Sequence, residues 1–198
     1  MKNIKLQKIT RIAMLAAISA LLMYFDFPLW FAPNFYKLDF SELPVLIGAF
    51  ALGPVSGIVI EAVKVFIVFL VKGSSTGGVG EVSNFLIGLS FVLPAAYVYK
   101  FNKTKTSAIV GMVTGTVILA AVGGVLNAFV LIPLYSKFIP LEQIIQMANK
   151  LNSSINNITT LILFAVVPFN LVKGISVSIL TTFIYKRISP ILKNERAH

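Results

Sequence analysis

An ammonium group and a carboxamide stand one helical turn apart in the apolar C-terminal part of the chain. Lys173 is the one charged side chain between residues 158 and 185, and Asn170 precedes it by three residues. A lysine inside a membrane costs about 2.5 to 3.5 kcal/mol even on a lenient scale, so a functional role is its default interpretation. The spacing places both groups on one helix face, which is predicted to hold a polar ligand. The alternative is that Lys173 snorkels to a headgroup or pairs with a carboxylate on another helix.

Two other asparagines are expected at the same depth. Asn84 stands near the start of the fourth predicted helix, and Asn127 lies about 30 Å along the fifth, close to Pro133. A single asparagine in a membrane helix usually serves as an interhelical hydrogen-bonding group. Four polar groups at one level favour a ligand pocket instead, and Pro168 is expected to bend the sixth helix beside it.

The composition identifies the elements that must position these groups. The chain has 198 residues, of which 57% are hydrophobic and 12% are charged, against roughly 25% charged residues in a soluble domain. It is therefore predicted to be an all-α, polytopic membrane protein with a single membrane domain over residues 1–198. A cleavable signal peptide is the alternative for the first helix. The predicted helices span about 9–25, 43–52, 54–71, 82–100, 107–135 and 158–186.

The positive charges orient this six-transmembrane-helix bundle. Of the 17 Lys and Arg residues, eleven lie near the two termini or the loop 101–106. By the positive-inside bias both termini are cytoplasmic, and the polar level that contains Asn170 faces outward. The net charge of +10 is thus a topology signal and does not indicate nucleic-acid binding.

Two loops are predicted on the outer side. Residues 24–40 contain eight aromatic side chains, which form either an interfacial belt or a lid that stacks on a flat ligand, with Lys37, Asp39 and Glu42 as polar contacts. The glycine-rich loop 72–81 lacks the Lys-Ser/Thr pair of a P-loop. No nucleotide site is therefore predicted in this chain.

Several functional classes are disfavoured. The chain has no cysteine and one histidine, His198, which argues against thiol chemistry, disulfides and a histidine-ligated metal. An enzyme is disfavoured, with no catalytic residues predicted, because Glu61 is the one carboxylate expected deep in a helix. A channel would need polar groups through the whole membrane thickness. Glu61 and Lys64 are predicted to form an intrahelical ion pair, with a coupling-ion or proton relay as the alternative.

Small residues recur on the first helix. Ala13 and Ala17, like Ala16 and Ala20, are four residues apart, a spacing that permits close approach of another helix. The pattern fits packing within the bundle and a partner surface equally well.

Three segments together resemble a known family. They are Lys-Leu-Asp-Phe-Ser-Glu-Leu-Pro followed by Val-Leu-Ile-Gly-Ala-Phe-Ala-Leu-Gly-Pro at 37–54, Pro-Phe-Asn-Leu-Val-Lys-Gly at 168–174, and the Ala13-xxx-Ala17 helix. The chain resembles, over essentially its whole length, the substrate-binding S component of an energy-coupling factor (ECF) vitamin transporter. The resemblance is strongest to the riboflavin-specific branch.

The resemblance implies a function and a set of site residues. The protein would capture riboflavin, or a related flavin such as FMN, at the outer face of the cell membrane, as a transported ligand and not as a cofactor. A transmembrane coupling protein (EcfT), which would contact Ala13 and Ala17, and two ATPases would supply the energy. An S component for another vitamin is the alternative. The implied ligand-binding residues are Leu38, Asp39, Asn84, Asn127, Asn170 and Lys173.

Overall fold

The computed structural model describes residues 2–74, 77–137 and 139–193, most of them helical. The predicted loop 72–81 and both limits of the predicted domain lie partly outside the described residues. Five helical segments of the described chain are long and apolar enough to cross a membrane, and α2 is a shorter apolar helix. The α-helices are α1 (Lys2–Tyr24), α2 (Glu42–Leu52), α3 (Pro54–Lys72), α4 (Val79–Phe101), α5 (Lys105–Leu126), α6 (Ile132–Tyr135), α7 (Leu141–Asn149), α8 (Ile158–Leu161) and α9 (Val167–Lys193).

A glycine and a proline separate α2 from α3. Gly53 has a φ of 100°, a conformation that side chains with a Cβ rarely adopt. Pro54 then occupies the first helical position of α3, where its missing N–H costs no hydrogen bond. The chain therefore turns sharply between two apolar helices.

Two long helical segments contain a π-helical turn. Asn127–Leu131 connects α5 to α6, and Ile162–Val166 connects α8 to α9. A proline stands two residues after each turn, at Pro133 and Pro168. Because proline lacks an N–H, the carbonyl four residues earlier loses its usual partner, and a wider turn relieves the mismatch. The two π turns pack against each other, so both irregular segments lie at the same level.

The α1–α2 connection folds back on itself as a short hairpin. Strands β1 (Phe27–Pro28) and β2 (Lys37–Leu38) are antiparallel, with Phe27 opposite Leu38 and Pro28 opposite Lys37. Adjacent strand residues face opposite sides, and Leu38 accordingly is buried while Lys37 is exposed. The hairpin thus presents an apolar face to the bundle.

Hydropathy did not predict α7. This helix has nine residues, too few to cross a membrane, and its sequence is only weakly apolar overall. Its buried side chains, Ile144 and Ala148, pack with Ile132, Ile155 and Leu161 in a small core separate from the main one. Tertiary packing of one face stabilises such a short helix better than its intrinsic propensity does.

Close helix contacts hold the main core together. A Cβ added at Gly111 of α5 would lie 2.6 Å from the carbonyl oxygen of Ala95 in α4, so the two backbones nearly touch. Glycine permits this approach between membrane helices. Around the contact, Phe91, Val92 and Leu119 are fully buried.

Helix ends cluster at opposite poles of the bundle. At one pole the rings of Phe50 and Tyr99 are 4.7 Å apart, and the hydroxyls of Tyr99 and Tyr185 are 2.9 Å apart, so the C-terminal parts of α2, α4 and α9 meet. At the other pole Lys72 pairs with Asp26 at 2.9 Å, which joins the end of α3 to the α1–α2 loop.

Candidate ligand-binding site

A cavity of about 140 Å³ lies between the α1–α2 loop and the membrane helices, at the pole where Lys72 pairs with Asp26. The start of α4, the π turn after α5 and the first turns of α9 form its walls. The four polar residues singled out by depth in the sequence all line it. The lining residues that matter below are Phe35, Tyr36, Asp39, Asn84, Asn127, Tyr135, Phe169, Asn170 and Lys173.

Lys173 is held by a buried ion pair. Its Nζ donates to Oδ2 of Asp39 at 3.0 Å, and the side chains are 8% and 5% exposed. Burial raises the pKa of Asp39, but the ammonium groups of Lys173 and Lys64 and the hydrogen bonds from Ser41 together outweigh burial and lower that pKa to about 2. The carboxylate comes from the loop before α2 and not from another helix. An ammonium has three donors, so this pair leaves donor capacity for a ligand.

The two buried asparagines, Asn127 and Asn170, both use the amide nitrogen within their own helix and leave the side-chain oxygen beside the cavity. Nδ2 of Asn127 donates to the carbonyl of Gly123 at 2.8 Å, and Nδ2 of Asn170 donates to that of Val166 at 2.9 Å. Each amide nitrogen is therefore used within its own helix, four residues back. The Oδ1 atoms remain as acceptors beside the cavity.

Tyr36 from the α1–α2 loop closes the cavity. Its hydroxyl donates to Oδ1 of Asn127 at 2.7 Å, and burial raises the pKa of Tyr36, so it stays a neutral donor. Its ring lies 5.7 Å from that of Phe169 and 4.6 Å from that of Phe35. These rings give the cavity aromatic walls.

The aromatic loop divides into two groups. Phe35 and Tyr36 line the cavity, as the lid interpretation requires. Trp30 is 87% exposed, and Phe25 is also exposed, as expected for side chains at a membrane interface. The exposed group fits the interfacial belt, while a lid that stacks on a flat ligand stays a prediction for Phe35 and Tyr36.

Two other expected site residues differ in placement. Asn84, in the first turns of α4, lines the cavity. Leu38 does not line it; its buried side chain packs with Ala32 and Phe169 behind the aromatic wall. Adjacent strand residues face opposite sides, so Leu38 faces the bundle, whereas its neighbour Lys37 pairs with Asp26 at 3.3 Å and lines the cavity.

A second ionic cluster is buried below the cavity. Nζ of Lys64 lies 2.6 Å from Oε1 of Glu61 and 3.0 Å from Oε1 of Glu42. The predicted intrahelical pairing of Glu61 with Lys64 is thus confirmed. Glu61 is the one described carboxylate deep inside a helix, as predicted, but two further carboxylates are buried at or before the start of α2: Glu42 is 1% exposed and Asp39 is 4% exposed. Both of these residues lie outside the helices predicted from sequence, and local hydropathy does not show that other elements bury such a loop. The described residues contain no group of three or more His, Cys, Asp or Glu that could hold a metal.

The alanines of α1 face two directions. Ala16 and Ala20 are buried in the bundle, whereas Ala13 and Ala17 are exposed on its outside. In its most apolar stretch α1 is 22% buried, against 39% in the other four long segments. It therefore offers the most open surface for lipid or another helix.

Several lining residues were not predicted individually. Phe169 stands between Pro168 and Asn170, and its adjacency to the predicted polar face was an available signal. Tyr135 ends α6, 6.4 Å from the ring of Phe35, and nothing local in the sequence marks it. Its role depends on where the α1–α2 loop folds.

Known proteins resemble this chain over nearly its whole length. The sequence model described as "ECF transporter, substrate-specific component" matches residues 7–185. The riboflavin transporter RibU of Staphylococcus aureus (strain TCH60) is 36% identical over 187 residues, covering 94% of this chain and 93% of its own. The riboflavin transporter FmnP of Bacillus subtilis (strain 168) is 29% identical and covers 98% and 97% of the two chains.

A solved structure has the same fold. It is described as "Structure and mechanism of the S component of a bacterial ECF transporter" and superimposes with a TM-score of 0.74 at 34% identity. The match covers 96% of this chain and 99% of the other. The relatives and the long apolar helices make this a multi-pass protein of the cell membrane. The match to the family over residues 7–185, with these relatives, shows that the chain belongs to the substrate-specific components of ECF transporters.

Proposed function

We propose that this protein captures riboflavin at the outer face of the membrane for uptake by an ECF transporter. The observation that carries the proposal is the cavity in which Lys173, Asn127 and Asn170 converge between aromatic rings. The named activity of the two riboflavin transporters that resemble the chain supports it. Site roles for Asp39 and Asn84 follow from their place in the same lining.

The polar groups suit one edge of a flavin ring. That edge alternates carbonyl oxygens with a ring N–H, so it needs both donors and acceptors. Lys173 supplies a charged donor, and Oδ1 of Asn170 supplies an acceptor because Nδ2 is bound to Val166. The rings of Tyr36 and Phe169 offer apolar contact to the flat face. In this pocket a few placed polar groups fix orientation while aromatic surface supplies binding energy.

The ligand must enlarge the cavity when it binds. Its volume of about 140 Å³ is below the roughly 300 to 1,000 Å³ of typical small-molecule sites. The α1–α2 loop is the element that can move with least disruption, since its hairpin has two-residue strands. Outward movement would break the hydrogen bond between Tyr36 and Asn127. Binding therefore exchanges this internal bond for a ligand contact.

Six membrane crossings with both termini in the cytoplasm fit this site. α2 is short, but Glu42 at its start lies 4.0 Å from Lys173 while Phe50 near its end packs on Tyr99 at the other pole. We therefore count α2 as the sixth crossing, although its 11 residues are fewer than a straight membrane span needs. With the cationic ends inside, the cavity opens outward, and the single membrane domain 1–198 contains the whole site.

Energy for uptake would come from partner subunits. The sequence has no P-loop motif, so we assign ATP hydrolysis to two ATPases and force transmission to a transmembrane coupling protein of the EcfT type. Ala13 and Ala17, exposed on α1, are the proposed contact with that protein. Exposed small residues allow close helix approach in a membrane.

The absorption spectrum of the purified protein tests the ligand class. Protein prepared from cells grown with riboflavin should carry the visible absorption of oxidised flavin in a ratio approaching one per chain. An Asn170→Ala/Lys173→Met variant, purified in parallel and shown to be monodisperse, should be colourless. Colourless wild-type protein that does not quench added riboflavin but binds another vitamin would replace riboflavin with that vitamin.

A further inference from the structure

The buried ionic residues do not balance in charge. Asp39, Glu42 and Glu61 provide three carboxyl groups, while Lys64 and Lys173 provide two ammonium groups. All five residues are at most 6% exposed, and Glu61 and Lys64 are fully buried. If every group were ionised, the cluster would carry one uncompensated negative charge. A buried charge without a partner is costly enough that the group normally becomes neutral.

The distances within the ion pairs show which carboxyl group carries the uncompensated negative charge. Asp39 pairs with Lys173 at 3.0 Å and accepts from the backbone N–H of Ser41 at 2.8 Å. Glu42 lies 3.0 Å from Lys64 and 4.0 Å from Lys173, between the two ammonium groups. Glu61 is left with Lys64 alone, at 2.6 Å, and Lys64 is already shared with Glu42.

The hydrogen bonds of the cluster also identify Glu61 as the group without adequate partners. Apart from the Lys64 ammonium beside Oε1 of Glu61, the described residues give no hydrogen-bond partner to the buried carboxyl oxygens of Glu61 or to Oε2 of Glu42. From α4, the glycine Gly88 faces the pair: a Cβ there would collide with the carboxyl of Glu61 and lie 2.9 Å from Oε1 of Glu42. The two carboxyl groups are therefore pressed together against a bare backbone. A buried ionised carboxylate needs several donors, and the one donor that the described residues place beside Glu61 is the Lys64 ammonium, which is shared with Glu42.

We propose that Glu61 binds a proton at neutral pH and remains a neutral carboxylic acid in the folded protein. The two ion pairs Asp39–Lys173 and Glu42–Lys64 then contain two positive and two negative charges, and the cluster is neutral. The proton site lies outside the ligand cavity and goes beyond the transport function proposed above. Its effect is to keep Glu42 matched to Lys64, so that Lys173 keeps its place beside Asp39.

Infrared spectroscopy of the intact protein at pH 7 tests this site. Wild-type protein should show the carbonyl band of a protonated carboxyl group. The band should disappear in Glu61→Gln, which replaces the neutral acid by a neutral isostere. It should also disappear in Glu42→Gln, because Glu61 must then ionise to balance Lys64. The control Glu142→Gln, on the exposed side of α7, should keep the band.

Folding of the variants gives an independent readout. Either single glutamine variant leaves a balanced cluster and should yield monodisperse protein. The double variant Glu42→Gln/Glu61→Gln leaves two ammonium groups with one carboxylate and should yield at least tenfold less folded protein. A wild-type spectrum without the band, or a band that survives in Glu61→Gln, would overturn the proposal. In the first case a bound cation would have to supply the missing charge.

Discussion

The hydroxyl of Tyr36 donates a 2.7 Å hydrogen bond to Oδ1 of Asn127, 91 residues further along the chain. This bond joins the α1–α2 loop to the π turn at the end of α5. It also occupies an acceptor that the proposed ligand needs. Under the function proposed above, this internal contact competes with ligand binding.

Removing the Tyr36 hydroxyl should favour the ligand. A neutral hydrogen bond contributes about 0.5 to 1.5 kcal/mol, so Tyr36→Phe should bind riboflavin about two- to tenfold more tightly. Tyr36→Ala also loses ring contact with Phe169 and should bind more weakly than the parent. Flavin fluorescence quenching measures both dissociation constants. Weaker binding by Tyr36→Phe would mean that the hydroxyl itself contacts the ligand.

Lys173 should matter for folding and for binding, and the two effects can be separated. Lys173→Met leaves Asp39 buried without its partner, which typically costs about 3 to 5 kcal/mol of stability. Adding Asp39→Asn should recover most of the folded protein. The double variant should still bind riboflavin about 10- to 150-fold more weakly, because a hydrogen bond to a charged donor contributes about 1.5 to 3 kcal/mol.

The matching asparagine variants complete that test. Asn127→Ala and Asn170→Ala should lose less affinity than the lysine variant, since their hydrogen bonds are neutral. Dissociation constants are compared on protein that elutes as a single species. Parent-like affinity in all the variants would show that the polar groups only hold helices together.

The Asp39–Lys173 ion pair should withstand mild acid. The pKa of Asp39 is about 2, against about 3.9 in an unfolded chain. A lowered pKa stabilises the folded state above the unfolded value, and this contribution is lost as the pH falls from about 4 towards 2. The stability difference between the parent and Asp39→Asn should therefore be constant from neutral pH to about pH 4. Denaturation midpoints that converge above pH 5 would contradict the pairing.

The exposed alanines of α1 should separate binding from transport. Ala13→Leu or Ala17→Leu should abolish energised uptake and co-purification with the coupling protein, because a bulky side chain prevents close helix contact. Riboflavin affinity of the isolated chain should stay within about threefold, since distant sites rarely couple strongly. Met14→Leu, another exposed position on α1, is the control and should transport normally. Normal uptake by both alanine variants would place the partner surface elsewhere.

Single cysteines test the orientation of the bundle. The chain has no cysteine of its own, so the parent gives no background. A cysteine at Ser153, near the cavity pole, should react with an impermeant thiol reagent in intact cells, while one at Asn102 should react only after lysis. The reverse labelling pattern would open the cavity to the cytoplasm and contradict uptake from outside.

Local sequence properties determined the helices and the polar level. Length and hydropathy predicted the long membrane segments, and Gly53-Pro54 predicted the break between α2 and α3, because backbone geometry at these residues is set locally. Counting residues along each helix placed Asn127 and Asn170 at a common depth. Such depth follows from the fixed rise of a helix.

Tertiary structure alone decided the partners of those polar groups. Lys173 and Asp39 are 134 residues apart, and no local pattern shows that the α1–α2 loop folds inward to bring them together. The same inward fold buries Glu42 and places Tyr36 on Asn127, and packing of one apolar face maintains α7. The sequence determines which residues cannot remain exposed to lipid, but only the packed bundle determines which of them meet, because hydrogen bonds and ion pairs depend on distances between elements far apart in the chain.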